Sequence, residues 1–220
     1  MKKLNRLLYR EFVEDADVFY WLFLVLGIAT QIVTYWLTDI DTVSLLCGMC
    51  GILSVLLCSR RKISNFVFGF IQVITYFILA YQQRLYGELA INLFYFFTMI
   101  YGCVTWAKSY DEGMVETKKL SLTANILAVT ATIIVVFATY RFLSLTNDSQ
   151  PFMDALTTVP AITAEILMVT RFRQQWWYWI VVDVASMYMW FVAGNWCMVA
   201  QYFFWTANCV YGLHIWKRES

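Results

Sequence analysis

The stretch FYFFTMIYGCVTW at 94–106 and the stretch FWTANCVYGLHIW at 204–216 share one ungapped register, offset by 110 residues. Phe94, Tyr101, Gly102 and Trp106 recur as Phe204, Tyr211, Gly212 and Trp216. Further out, Leu46, Ile52, Leu57, Arg61 and Ala90 recur at the same offset as Leu156, Ile162, Leu167, Arg171 and Ala200. The hydrophobic breaks coincide as well, so 42–107 and 152–217 read as two copies of one unit. Chance matches between Leu/Phe-rich helices do not produce two aligned Tyr-Gly-x3-Trp endings. A duplicated hydrophobic unit points to a membrane transporter whose substrate sits between the copies.

Composition places the units in lipid. The chain is 61% hydrophobic and only 14% charged, more apolar surface than a soluble domain of this length can hide. Eight low-charge runs, at 17–38, 42–59, 63–82, 88–107, 120–142, 152–170, 175–193 and 196–216, each approach the roughly 20 residues a helix needs to cross hydrocarbon. The ~10-residue alternation of barrel strands is missing, so the spans are helical. The spacing therefore predicts an all-α integral membrane protein of eight transmembrane helices.

The basic residues predict its orientation. Lys2, Lys3, Arg6, Arg10, Arg60, Arg61, Lys62, Lys108, Lys118, Lys119, Arg171, Arg173, Lys217 and Arg218 fall on one side, and only Arg84 and Arg141 on the other. This bias predicts cytoplasmic termini. The first span is too long for a signal-peptide core and is kept as a helix. Cys47-x-x-Cys50 resembles a redox or metal pair, but it lies in a run of small residues suited to close helix approach. With His214 as the only histidine and no second cysteine pair, packing is the better reading, and no cofactor is expected.

The predicted organisation is a cytoplasmic N-terminus with an extra helix (1–40), a first three-helix repeat (41–108), a loop with a linker helix (109–143), and a second repeat (151–217). Three helices end a unit opposite to where it started, so the linker crossing makes the repeats parallel, related by an axis along the membrane normal.

Polar groups inside lipid are costly and therefore informative. Asp183 lies near mid-span, and Glu165 nearer a helix end, where it can pair with Arg171 or reach the interface. On the last helix Gln201, Trp205, Asn208 and Gly212 follow i, i+4, i+7, i+11, one helical face. Their counterparts are Ile91, Tyr95, Thr98 and Gly102, with Asn92 alongside. Trp176, Trp179, Asp183 and Trp190 share a face of the preceding helix, and the matching helix of the first copy puts Asn65, Gly69, Gln72 and Tyr76 on one face. Aromatic faces stack on planar heterocycles and attract cations, amides pair with carboxamides or sugar hydroxyls, and a carboxylate neutralises positive charge. Trp176, Trp177 and Trp196, near helix ends, fit an interfacial belt instead.

Taken in order, Asn65-x3-Gly69-x6-Tyr76, Tyr95-x5-Tyr101-Gly102-x3-Trp106, Trp176-x2-Trp179-x3-Asp183 and Gly212-x3-Trp216 resemble the PnuC family of bacterial nicotinamide riboside transporters. The resemblance spans nearly the whole chain after the first helix. It implies a SWEET-like 3+1+3 fold in the bacterial inner membrane, facilitated diffusion, and trapping of the product by a cytoplasmic ribosylnicotinamide kinase. It further implies a homotrimer, and no nucleic-acid partner. Asn92 stands where some members are expected to carry glutamine. Relatives of similar sequence carry thiamine or riboflavin.

Nicotinamide riboside has a pyridinium cation, a carboxamide and a ribose, which suits these residues. Its ring would stack on Trp205 or Trp179 with Asp183 nearby, and Tyr95 would also bind the substrate. Gln72, Asn92, Gln201 and Asn208 would bind the amide and ribose. A negative interior favours entry of a monocation by about 2.3 kcal/mol per 100 mV, so no ion-coupling site is needed. Proton or sodium coupling through Asp183 is the rival mechanism. A membrane enzyme is disfavoured by the lack of an interfacial catalytic cluster, and a vitamin sensor would bind without flux.

Overall fold

The computed structural model describes residues 2–37, 41–82, 86–111, 113–146, 150–192, 194 and 196–218. Arg84 and the side chains of Lys2, Lys3, Trp196, Ala200 and Arg218, all used in the sequence reading, lie outside the described residues. Among the described residues nine helices form: α1 (Lys2–Phe12), α2 (Val18–Leu37), α3 (Thr42–Ser59), α4 (Asn65–Gln82), α5 (Tyr86–Ala107), α6 (Leu122–Leu143), α7 (Pro151–Val169), α8 (Gln175–Val192) and α9 (Trp196–Arg218). Six of them, α2 to α7, are long and apolar enough to cross a membrane. The last two are of spanning length but more polar: α8 carries Gln175 and Asp183, and α9 carries Gln201, Asn208 and His214.

Two elements lie outside the eight predicted spans. Helix α1 precedes the first span. A two-stranded hairpin, β1 (Tyr110–Asp111) with β2 (Met114–Val115), interrupts the loop after α5. Its turn needs the left-handed backbone of Gly113, at φ 89°, and the Tyr110 hydroxyl donates to the Gly113 carbonyl at 2.9 Å.

Helix starts follow capping rules. The Asp41 carboxylate accepts the Ser44 N–H at 2.7 Å ahead of α3, Ser121 Oγ accepts the Ala124 N–H at 3.2 Å ahead of α6, and Pro151 opens α7 where a missing N–H costs nothing.

The chain divides into two compact units, 1–116 and 117–220. In the first, α2 packs on α3, α3 on α4 and α4 on α5; in the second, α6 packs on α7, α7 on α8 and α8 on α9. Helix α2, which had no counterpart in the repeat, thus has the neighbour relation that α6 has in the second unit. Gly27 of α2 lies against Ile52 of α3, and Gln31 covers Gly48.

The ends of α3 and α7 match bond for bond at the 110-residue offset. Arg61 N–H donates to Cys58 O at 2.9 Å and Lys62 N–H to Leu57 O at 2.9 Å. Arg171 N–H donates to Met168 O at 2.9 Å and Phe172 N–H to Leu167 O at 2.8 Å. Both are Schellman ends, with the left-handed position filled by arginine (φ 60° at Arg61, 71° at Arg171) where glycine is usual. Inside each unit the same aromatic pair closes edge to face: Phe66 on Trp106 at 5.1 Å, and Trp176 on Trp216 at 5.8 Å.

In the first unit α1 and the hairpin cover the α3–α4 turn. Arg60, Arg61 and Lys62 are all buried there. Arg60 lies over the Tyr20 ring at 4.3 Å and donates to Glu14 O. Arg61 Nη1 reaches Val115 O at 3.3 Å and Lys62 Nζ reaches Gly113 O at 3.0 Å. Glu11 accepts the Ser64 N–H at 3.2 Å. Burial, and secondarily the charge of Arg60, hold the Lys62 pKa below its usual range, against the pull of Glu11, Asp15 and Glu14.

Candidate functional site

Each unit assembles its own share of the candidate residues. In the first, Gln72 is half-buried on α4 with its side chain against Gly51 of α3. The small residues read as permitting close approach therefore seat Gln31 on one side and Gln72 on the other. Asn92 of α5 is buried, and its Nδ2 donates to Val73 O at 2.7 Å. At least one of its donors therefore ties α5 to α4, away from any ligand. Asn92 also borders an apolar groove of about 260 Å³ with Val73, Phe77 and Phe96. Tyr95 is half-buried beside Phe94.

In the second unit Asp183 is 4% exposed on α8, and Cys209 Sγ of α9 donates to its Oδ2 at 3.3 Å. That contact fixes α9 against α8 at the turn that carries Asn208, which is 2% exposed. Trp205 and Gln201 continue the same face of α9, both half-buried, with the Trp205 ring edge-on to Tyr202 at 5.2 Å. Trp179, one turn before Asp183, is partly buried against Ala164, Leu167 and Tyr178. The face spacing on α8 and α9 thus brings a carboxylate, two indoles and two amides onto adjoining helices. A buried carboxylate among aromatics and amides suits a ligand with a delocalised cation and hydrogen-bonding groups.

One reading is corrected. Trp176, placed in the interfacial belt because it lies near a helix end, is 3% exposed and packs in the interior of its unit. Its ring lies so close to Gly212 that a Cβ there would come within 2.5 Å. Depth along a helix does not reveal which way a side chain faces. Trp177, its neighbour, is 58% exposed as a belt residue would be.

Cys209 was missed, since cysteines in spans were read as packing. Its register partner is Met99, which offers no polar hint. Gln175 was also passed over, although the alignment carried a signal: it matches Asn65, an amide opening the equivalent helix. Asn65 Nδ2 donates to Lys62 O at 2.6 Å. Gln175 is fully buried, and neither amide atom has a hydrogen-bond partner among the described residues. A second asymmetry lies at Gly69 and Met99, which touch in the first unit; the matching positions of the second hold Trp179 and Cys209, with large and small exchanged.

Comparison with known proteins agrees with this layout. The profile of the nicotinamide mononucleotide transporter family matches residues 41–218. The chain is 31% identical to the nicotinamide riboside transporter PnuC of Haemophilus influenzae, covering 96% of this chain and 95% of the relative. It is 30% identical to PnuC of Neisseria mucosa, covering 90% and 80%. A crystal structure of the vitamin B3 transporter PnuC superposes with a TM-score of 0.78 at 28% identity, over 96% of this chain and 97% of that one. With its profile match, its relatives and its fold agreeing over nearly the full length, the chain belongs to the PnuC family of multi-pass membrane transporters.

Proposed function

We propose that the chain carries nicotinamide riboside across the bacterial inner membrane by facilitated diffusion. The observation that carries this reading is Asp183, a buried carboxylate on α8 held beside the Trp205–Asn208 turn of α9. The family profile is described by the mononucleotide and the relatives by the riboside, and charge separates the two cargoes. The riboside is a monocation, which Asp183 attracts; the mononucleotide adds a phosphate, which Asp183 repels and no candidate site residue would neutralise. In this reading the pyridinium ring stacks on Trp205 or Trp179, and Gln201 and Asn208 bind the carboxamide and ribose. Asn92 acts mainly as a helix tie. A cytoplasmic ribosylnicotinamide kinase traps the product.

The proposed arrangement is eight crossings, SWEET-like: parallel repeats at 41–108 and 151–217, the 109–143 linker, an additional N-terminal helix within 1–40, and cytoplasmic termini. Assembly is as a homotrimer. The polarity of α8 and α9 supports their lining the path, since polar groups in lipid-embedded helices concentrate where a substrate passes.

The test is uptake of radiolabelled nicotinamide riboside into proteoliposomes, with the mononucleotide, thiamine and riboflavin as competitors. An imposed inside-negative potential of 100 mV should raise accumulation by about fiftyfold, and a pH gradient alone should not. Trp205→Ala should weaken binding by about 1–3 kcal/mol, the usual worth of stacking one base, with melting temperature unchanged. Mononucleotide outcompeting riboside would refute the cargo, and accumulation driven by a proton gradient without a potential would assign Asp183 to ion coupling.

A further inference from the structure

A cleft of about 470 Å³ opens at the start of α6, lined by Lys119, Leu120, Ser121, Leu122, Asn125 and Gln174. None of these residues is acidic. Ser121 Oγ takes the Ala124 N–H and Ser121 O takes that of Asn125, leaving Leu122 and Thr123 N–H without helical acceptors. Such N–H groups, with the helix dipole behind them, favour an anion. Gln174 is only 9% exposed. Its Oε1 accepts the Leu120 N–H at 3.1 Å, which anchors the amide at the cleft wall, and its Nε2 makes no hydrogen bond among the described residues. Lys119 is exposed and forms no ion pair among them. The cleft therefore gathers a cation, a helix start and an amide donor around one space.

Beyond the cleft, α6 presents an apolar stripe. Leu122, Ile126, Val129, Ile133 and Phe137 fall at i, i+4, i+7, i+11 and i+15, one face of the helix. Their exposures are 77%, 55%, 41%, 51% and 56%. A stripe of that kind on a membrane helix meets hydrocarbon, and here it starts at the lining of the cleft. We infer that this is a site for an anionic phospholipid, its phosphate in the cleft and an acyl chain along the α6 stripe. A zwitterionic headgroup brings an ammonium group that Lys119 repels, so the site discriminates by headgroup charge.

The experiment is native mass spectrometry of the detergent-purified chain with equimolar phosphatidylglycerol and phosphatidylcholine of matched acyl chains. The wild-type chain should retain phosphatidylglycerol in preference. Lys119→Gln should reduce that preference about fivefold, the weight of one basic residue near an anionic surface. Asn125→Asp should abolish it, since it sets a carboxylate where the phosphate would lie while an acid in a first helical turn does not harm the helix. Unchanged melting temperatures verify folding of both variants. Equal retention of the two lipids by the wild type, or undiminished preference in Asn125→Asp, would overturn the inference. Displacement of phosphatidylglycerol by millimolar glycerol phosphate would also overturn it, assigning the cleft to a soluble anion.

Discussion

Gly212 and Gly69 both seat a large side chain, but against neighbours of different stiffness. A Cβ at 212 would stand 2.5 Å from the Trp176 ring, which is itself packed edge-on to the buried Trp216. A Cβ at 69 would meet the terminal methyl of Met99, which three rotatable bonds let swing aside. Gly212→Ala should therefore cost roughly 1–3 kcal/mol, the range for overpacking a rigid core, and Gly69→Ala less than about 1 kcal/mol. Thermal melting in one detergent measures both, and equal losses would mean that the Trp176 ring can shift. The sequence carried the Gly212 signal as an identity with Gly102, but not the ring that needs it, because Trp176 lies at a depth where belt tryptophans also lie. Asp183, by contrast, was legible outright: a carboxylate nine residues into an apolar helix has few places to go.

Helix ends were less legible than helix bodies. Helices α2 to α9 follow the eight low-charge runs, whereas α1 and the hairpin are too short to leave one. The hairpin is also held from a distance, by Arg61 and Lys62 more than 50 residues earlier in the chain. Arg61 and Arg171 were visible as one repeated pair, but their left-handed backbone was not. That conformation costs a non-glycine residue about 1–2 kcal/mol. Arg61→Gly and Arg61→Ala both delete the guanidinium, and only alanine retains the backbone cost. The glycine variant should melt as the more stable of the two by about 1 kcal/mol or more, and the same ordering should hold at Arg171. A second end effect is titratable. The Ser44 backbone N–H is the chief reason that the Asp41 pKa lies below the ordinary carboxylate value. A carboxylate depressed on folding stabilises the fold above its unfolded pKa, near 4, and loses that contribution as pH falls through the folded value. Asp41→Asn keeps a cap oxygen without the titration, so its melting temperature should fall less steeply below about pH 4 than that of the wild-type chain.

At the scale of the molecule, six and eight crossings place residue 194 on opposite sides. Gly194 sits at φ 74° between α8 and α9 with nothing near its Cβ position. In a background lacking the native cysteines, Gly194→Cys should react with a membrane-impermeant thiol reagent from outside the cell. Protection from outside, with labelling only after lysis, would leave α8 and α9 uncrossed. The shared register was readable because the stretches around Trp106 and Trp216 each bury a tryptophan against an aromatic ring. The differences between them, Gly69 and Met99 against Trp179 and Cys209, were readable as letters but not as a packing exchange. The polarity of α8 and α9 also bears on synthesis. An aspartate at mid-helix adds about 3 kcal/mol to the partitioning of a lone segment from the translocon into lipid, and tryptophan and amide side chains do little to offset it. If the labelling places α8 and α9 across the bilayer, α8 enters paired with α9, with Asp183 meeting Cys209. A truncation after residue 192 should then leave α8 in the aqueous phase, where quality-control proteases act.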